Sequence, residues 1–104
     1  MFARHVSIHL KSNMLSDYTR TFENDTLPLL RQQKGFKDEI TLSNPGSLDV
    51  IAISLWESKA NADTYNTNTY PQVLRTLERM IDGAPKVQTF EAVTSTFHKL
   101  AVAA

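Results

Sequence analysis

The chain has 104 residues, enough for one domain with a single core, and its 41% hydrophobic and 21% charged content is that of a soluble globular protein. Eleven basic residues balance eleven acidic ones, with no basic run and no aromatic–basic interleaving, which argues against a nucleic-acid binder. Cysteine is absent, which excludes disulfides, thiolate nucleophiles, iron–sulfur clusters and zinc-finger ligation.

From Phe2 to Lys11 the residues alternate: Phe2, Val6, Ile8 and Leu10 share one face, and His5, Ser7, His9 and Lys11 the other, so a strand with one apolar face is predicted. This opening segment lacks the organisation of a signal peptide, and no apolar run approaches the length of a membrane span. A cytoplasmic location without membrane contact is therefore expected, and the glycosylation-type triplet Asn24-Asp25-Thr26 is discounted. Ser16-Asp17 supplies a helix start, and Leu15, Tyr18, Phe22, Thr26 and Leu29/Leu30 follow at helical spacing. Pro28 lies inside that helix and should kink it one turn before Gly35, the residue expected to end it.

"GFKDEITLSN" and "LDVIAISLWES" flank Asn44-Pro45-Gly46-Ser47, the pattern of a β-hairpin. The second run is apolar on both faces, Val50, Ala52 and Trp56 on one and Ile51, Ile53 and Leu55 on the other, so both faces must be covered. The second helix is predicted in two parts. Residues 59 to 70 are rich in Asn and Thr, weak helix formers, and Pro71 opens a clearer stripe of Val73, Leu74, Leu77, Met80 and Ile81, which puts a break near Tyr70. After Gly83, "KVQTFEAVTSTFHKL" reads as a last strand, followed by the tail Ala101-Val102-Ala103-Ala104.

The order β-α-β-β-α-β over residues 1–104 predicts an α+β ferredoxin-like plait, a four-stranded antiparallel sheet with two helices on one face. The other face is left bare and apolar. The simplest cover is a second copy of the same sheet, an isologous homodimer.

Strand three running into "LWESKA", the helix end "LPLLRQQKGF", and "YPQVLRTLERMIDGAPKVQTFEAV" resemble the antibiotic biosynthesis monooxygenase superfamily of dimeric α+β barrels, over roughly residues 2–95. The resemblance implies the plait, the dimer and a cleft between sheet and helices, but no particular reaction. The superfamily includes cofactor-independent monooxygenases of polyketide quinones, haem-degrading enzymes and isomerase-like members. The positions that the haem-degrading branch uses fall near Val6, Tyr65 and Arg75, none of which matches, and no His occurs between His9 and His98, so haem degradation is rejected. The quinone-oxidising members tend to carry an Asn about four residues before the strand-three Trp, where this chain has Ala52.

No glycine-rich phosphate loop, Gly-x-Ser-x-Gly elbow or His-Glu-x-x-His helix occurs. His5 and His9 have the spacing of a helical metal pair, but four residues of strand span about 13 Å. Zinc bonds are about 2 Å long, so no metal is expected there. His98 is expected to be a solvated strand-end residue. The resemblance implies that Tyr65, Tyr70 and Arg75 donate hydrogen bonds to a substrate oxygen as it becomes an enolate, and that the carbanion itself reduces dioxygen, without a cofactor. Each also has a plain structural account, as two amphipathic surface tyrosines and a solvated helix charge. Trp56, with Tyr18 and Phe22 from the first helix, is a candidate wall for a hydrophobic aromatic ligand, although a large aromatic at the end of a central strand is usually a core or interface residue. Two further readings stand beside the oxygenase: a non-catalytic ligand-binding or stress-related dimer, and an isomerase or dehydratase using a His or Glu such as His9 or Glu91.

Overall fold

A computed structural model describes residues 1–100; the predicted tail, residues 101–104, lies outside the described residues. The elements are β1 (Phe2–His9), α1 (Leu15–Thr21), a π-helical turn (Phe22–Thr26), α2 (Leu27–Arg31), β2 (Phe36–Ser43), β3 (Asp49–Trp56), α3 (Lys59–Asn68), α4 (Tyr70–Leu77), a short 3-10 turn (Glu78–Met80) and β4 (Lys86–Glu91). The sheet has the order β2-β3-β1-β4 with every neighbouring pair antiparallel, which is the ferredoxin-like plait predicted from the element order. Among the described residues no helix is long and apolar enough to cross a membrane.

The alternation of β1 and β3 sorts the sheet into two faces. Val6, Ile8, Val50, Ala52 and Trp56 are buried and form one core with Tyr18, Phe22, Leu30, Ala62, Tyr65, Val73, Leu77 and Met80 from the helices. The opposite parity, with His5, Ser7, Ile51, Ile53 and Leu55, is only half-buried. Strand pairing aligns Ile40 and Leu42 of β2 with Ile53 and Ile51, and Phe90 of β4 with Ala3, on that same outer face. Ile40, Leu42 and Phe90 are 47%, 48% and 52% exposed, so the face away from the helices is apolar and largely open, with Phe97 beside Ile40, Ile53 and Leu55.

Two predicted irregularities take a definite form. Pro28 does not break the first helix; it sits in the first turn of α2, and the turn before it widens, with the Leu27 N–H bonding the Phe22 carbonyl five residues back. A wider turn accommodates a ring that has no N–H to give and would otherwise clash with the preceding turn. The second helix does break where Pro71 requires it: α3 stops at Asn68, Thr69 leaves helical geometry, and α4 restarts at Tyr70.

The last strand is shorter than predicted. β4 ends at Glu91, opposite Phe2, and the Ala92 N–H bonds the Met1 carbonyl. Beyond that point the β-branched run to Leu100 forms no strand among the described residues. It passes instead toward β2, where His98 is half-buried and its Nε2 is bonded to the Asp38 carboxylate. His98 is therefore not the solvated strand-end residue that its position predicted.

Candidate functional site

The covered face of the sheet is not apolar throughout. Strand pairing sets Thr89, Arg4, Ser54 and Glu39 side by side in one row across β4, β1, β3 and β2. One row away lie the aromatics Phe2, Trp56 and Phe36, and on the other side Val6 and Ala52. A polar row under helices needs partners, because burying polar groups without them is costly.

Arg4 is only 3% exposed. Its Nη2 donates to Asn66 Oδ1 at 2.8 Å, and its guanidinium carbon lies 3.9 Å from the Tyr70 ring centroid and 5.2 Å from that of Tyr65. These are cation–π distances. The break at Thr69 makes this possible: five residues apart on one regular helix, Tyr65 and Tyr70 would diverge, but their rings lie 6.2 Å apart over the same guanidinium. Arg4 forms no ion pair among the described residues, and its Nε is buried without a partner.

Beside Arg4 is an inner cavity with about 40 Å³ of water-accessible space, inside an envelope of about 460 Å³ that includes its open mouth. Tyr18, Phe22, Glu39, Tyr65 and Tyr70 line it, with aliphatic side chains of the sheet and α4. Tyr18, Phe22 and Glu39 also line a larger outer groove of about 390 Å³ between the first helix and β2, whose other walls include Leu15, Leu27 and Ile40. The two spaces thus meet at a wall formed by two aromatics and a carboxylate.

Tyr65, Tyr18 and Glu39 are held toward their neutral forms. Burial pushes the Tyr65 phenol up to about 12, against the opposing pull of Arg4 and with smaller upward contributions from Tyr70 and Glu39. Burial raises Tyr18 well above the phenol range, and its hydroxyl has no partner among the described residues. Burial also raises the Glu39 carboxyl, while a hydrogen bond from Thr41 works the other way. Both tyrosines are therefore neutral donors at pH 7.

Of the residues singled out in the sequence, Tyr18, Phe22, Tyr65 and Tyr70 meet at the cavity. Trp56 does not line it. It is fully buried behind Tyr65, stacked at 5.0 Å, with Nε1 donating to Ser54 Oγ at 2.8 Å. Arg75 is exposed on the outer side of α4 and is not among the lining residues; the cation of the cleft is Arg4. Arg4 and Glu39 were missed. The signal for Arg4 was a charged residue on the apolar parity of β1, between Phe2 and Val6. His9 lies on the outer face, with Nδ1 2.8 Å from Asp49 Oδ1, and among the described residues no cluster of three or more His, Cys, Asp or Glu side chains could hold a metal ion.

No protein-family model matches the chain, and no curated protein matches it. Solved structures do match. SnoaB, a cofactor-independent oxygenase from Streptomyces nogalater, superposes with a TM-score of 0.76 at 11% identity, over 91% of this chain and 95% of that one. A Bordetella bronchiseptica protein provisionally described as an antibiotic biosynthesis monooxygenase gives 0.76 at 14% identity, over 89% and 97%. A Nitrosomonas europaea protein of unknown function gives 0.76 at 14%, over 98% and 95%. The chain has the fold of the antibiotic biosynthesis monooxygenase proteins, as its sequence pattern led us to expect.

Proposed function

We propose that the cleft binds a small electron-rich aromatic molecule with an acidic hydroxyl or an enolisable carbonyl, and that the protein catalyses its oxygenation by dioxygen without a flavin or metal. The observation that supports this most is Arg4, a buried cation that among the described residues has no carboxylate paired with it and one unpartnered N–H. A buried unpaired charge is expensive, so a site that keeps one calls for an anion from outside. An enolate or phenolate oxygen supplies that anion, and a preformed cationic site lowers the barrier to forming it. Tyr65 and Tyr70 keep the donor roles implied by the resemblance, and the role given to Arg75 passes to Arg4. Tyr18 and Phe22 bind the ring. The ionised substrate gives its electrons to dioxygen; a CH₂ between two activating groups plus O₂ becomes a carbonyl plus water. SnoaB, an oxygenase with no cofactor on the same fold, supports the reading by analogy.

The outer groove, at about 390 Å³, has the size of a small-molecule pocket, whereas the inner space is far smaller than the roughly 150 Å³ cavity that admits benzene. The aromatic body therefore lies in the groove, and only its oxygen-bearing edge reaches Arg4. The tight inner space also favours a second reading, a binding protein that holds such a ligand without turning it over.

Oxygen uptake with a panel of anthrones and quinols, without added metal or flavin, tests the choice. Arg4→Met should abolish uptake. Saturable binding of 1-naphthol without uptake by the wild type gives the second reading, and neither binding nor uptake overturns both.

The same proposal includes a homodimer formed by the outer sheet faces, with Ile51, Ile53, Leu55, Ile40, Leu42 and Phe90 as its core. A cytoplasmic location fits a chain without cysteine.

A further inference from the structure

Glu39 owes its place to a fault in the strand ladder. Phe36 pairs with Trp56, but Asp38, two residues on, pairs with Leu55, the very next residue of β3, so Lys37 is an extra residue in a β-bulge. Past the bulge, Glu39 faces the helices, while Ile40 and Leu42 face outward and remain nearly half exposed. Regular alternation from Phe36 would do the reverse, putting Ile40 and Leu42 on the covered face and Glu39 on the bare one. Within the monomer, burial of apolar surface favours that unbulged register. Bulges recur beside active sites because they re-aim a side chain. This one aims Glu39 at the wall shared by the inner cavity and the outer groove.

The carboxylate is held there. Thr41 Oγ1 donates to Glu39 Oε2 at 2.8 Å and to Oε1 at 3.2 Å. Ser54 separates Glu39 from Arg4 in the row, so the two backbones are two strand spacings apart, roughly 9.5 Å. That is a gap their side chains can close around one ligand hydroxyl reaching in from the groove. The other titratable groups around Glu39 are Tyr18, Tyr65, Tyr70 and Arg4 at the inner cavity, Glu23 at the groove, and on the outer side Asp38, which is paired with His98. The three phenols are weak acids and the guanidinium is permanently charged, which leaves Glu39 as the only base among the groups lining the inner cavity.

We infer that Glu39 is the proton acceptor of the cleft: its carboxylate takes the hydroxyl proton of a phenol or enol, and Arg4 holds the resulting anion. The O–H bond of the ligand breaks, a carboxyl O–H bond forms, and the electron pair stays on the ligand, so nothing is oxidised in this step. The assignment rests on the phenol-binding cleft proposed above, and it adds a residue that the resemblance does not supply.

The test uses the full chain and para-nitrophenol, whose ionised form is coloured, at a pH between the carboxyl and phenol ranges. Bound phenolate is read by absorbance, and protons released to weakly buffered solution are read with an indicator dye. The wild type should form bound phenolate with little proton release, because Glu39 keeps the proton. Glu39→Gln, nearly isosteric, should release a proton for each phenolate it still forms. Thr41→Val, which removes the donor that steadies the charged carboxylate, should hold the captured proton more tightly and raise the bound phenolate fraction. It carries the test if Glu39→Gln fails to fold, and an unchanged fraction then overturns the assignment. Equal proton release in wild type and Glu39→Gln overturns the role of Glu39 while leaving the cleft intact. Failure of para-nitrophenol to bind the wild type overturns the cleft and this assignment together.

Discussion

Tyr18→Phe separates the cost of the site from its use. The Tyr18 ring is fully buried against Phe22, at 5.7 Å between centroids, and its hydroxyl has no hydrogen-bond partner among the described residues. A buried hydroxyl without a partner costs about 1–3 kcal/mol. The adjoining cavity has about 40 Å³ of free space, and a water needs about 10–15 Å³, so water recovers part of that cost and the low end applies. Loss of one oxygen from a site already open to a cavity adds little void. Tyr18→Phe should therefore stabilise the fold by about 1 kcal/mol, or about 4–8 °C in a domain of this size. Urea unfolding followed by Trp56 fluorescence and circular dichroism, at fixed protein concentration, measures this, and the slope m should not change. The same variant should bind a phenol about two- to tenfold more weakly, the worth of one hydrogen bond of about 0.5–1.5 kcal/mol. A variant that loses more than about 0.5 kcal/mol of stability with phenol affinity intact refutes the reasoning, since the hydroxyl would then be structurally satisfied and not available to a ligand.

Gly35 and Gly46 share a left-handed φ, +79° and +81°, but differ in surroundings. A Cβ on Gly35 would lie 2.4 Å from the Asn61 side chain, which accepts from Ser58 at the start of α3, whereas nothing lies within 4 Å of one on Gly46. Gly46→Ala should cost about 1–2 kcal/mol for the backbone alone, and Gly35→Ala about 1 kcal/mol more through the damaged helix start, both read by urea unfolding. Ile53→Lys places a charge at the centre of the outer sheet face and should convert a dimer to monomer in sedimentation analysis; identical sedimentation of the two proteins would sink the face-to-face arrangement. Burial raises the Glu39 carboxyl above its ordinary 4.5, so the native state holds that proton more tightly than the unfolded chain does. The stability this confers is complete below the ordinary value and is lost as pH rises through the folded one. Glu39→Gln should gain on the wild type as pH rises from acid to neutral in urea melts, and parallel pH curves would count against it.

The plait was legible because its signals are local. Alternation in β1, two apolar faces in β3 and the Pro71 restart, with its break near Tyr70, each survive in a single stretch of sequence. What escaped depends on pairing. Glu39 faces inward only because of a bulge defined against β3, and Lys37 looks like any other strand residue. The last strand stops at Glu91, opposite Phe2 of β1, which its own β-branched run does not show. Arg4 was visible as a break in the apolar parity of β1, yet its weight comes from Tyr70 and Asn66, more than 60 residues away. Trp56 was ambiguous in sequence because strand ends serve both core and cleft, and the stacked Tyr65 decides for core.

Three elements depart from regular geometry, and they depart toward the same place. The bulge at Lys37 turns Glu39 under the helices, the π-helical turn carries Phe22 at the shared wall, and the break at Thr69 lays Tyr70 over Arg4. Each departure sacrifices some regular hydrogen bonding or apolar burial, and each lies in a different segment of chain. A fold optimised only for stability has no reason to place three such faults around one buried, unpaired cation, when apolar residues at Arg4 and Glu39 would continue the packing of Val6, Ala52, Phe2 and Trp56. Their coincidence is accounted for if the row Arg4–Ser54–Glu39 is kept for a ligand. The replacement of both ends by apolar residues of similar size, Arg4→Met with Glu39→Leu, then has a definite expected result: a more stable chain, in urea unfolding, that no longer binds para-nitrophenol.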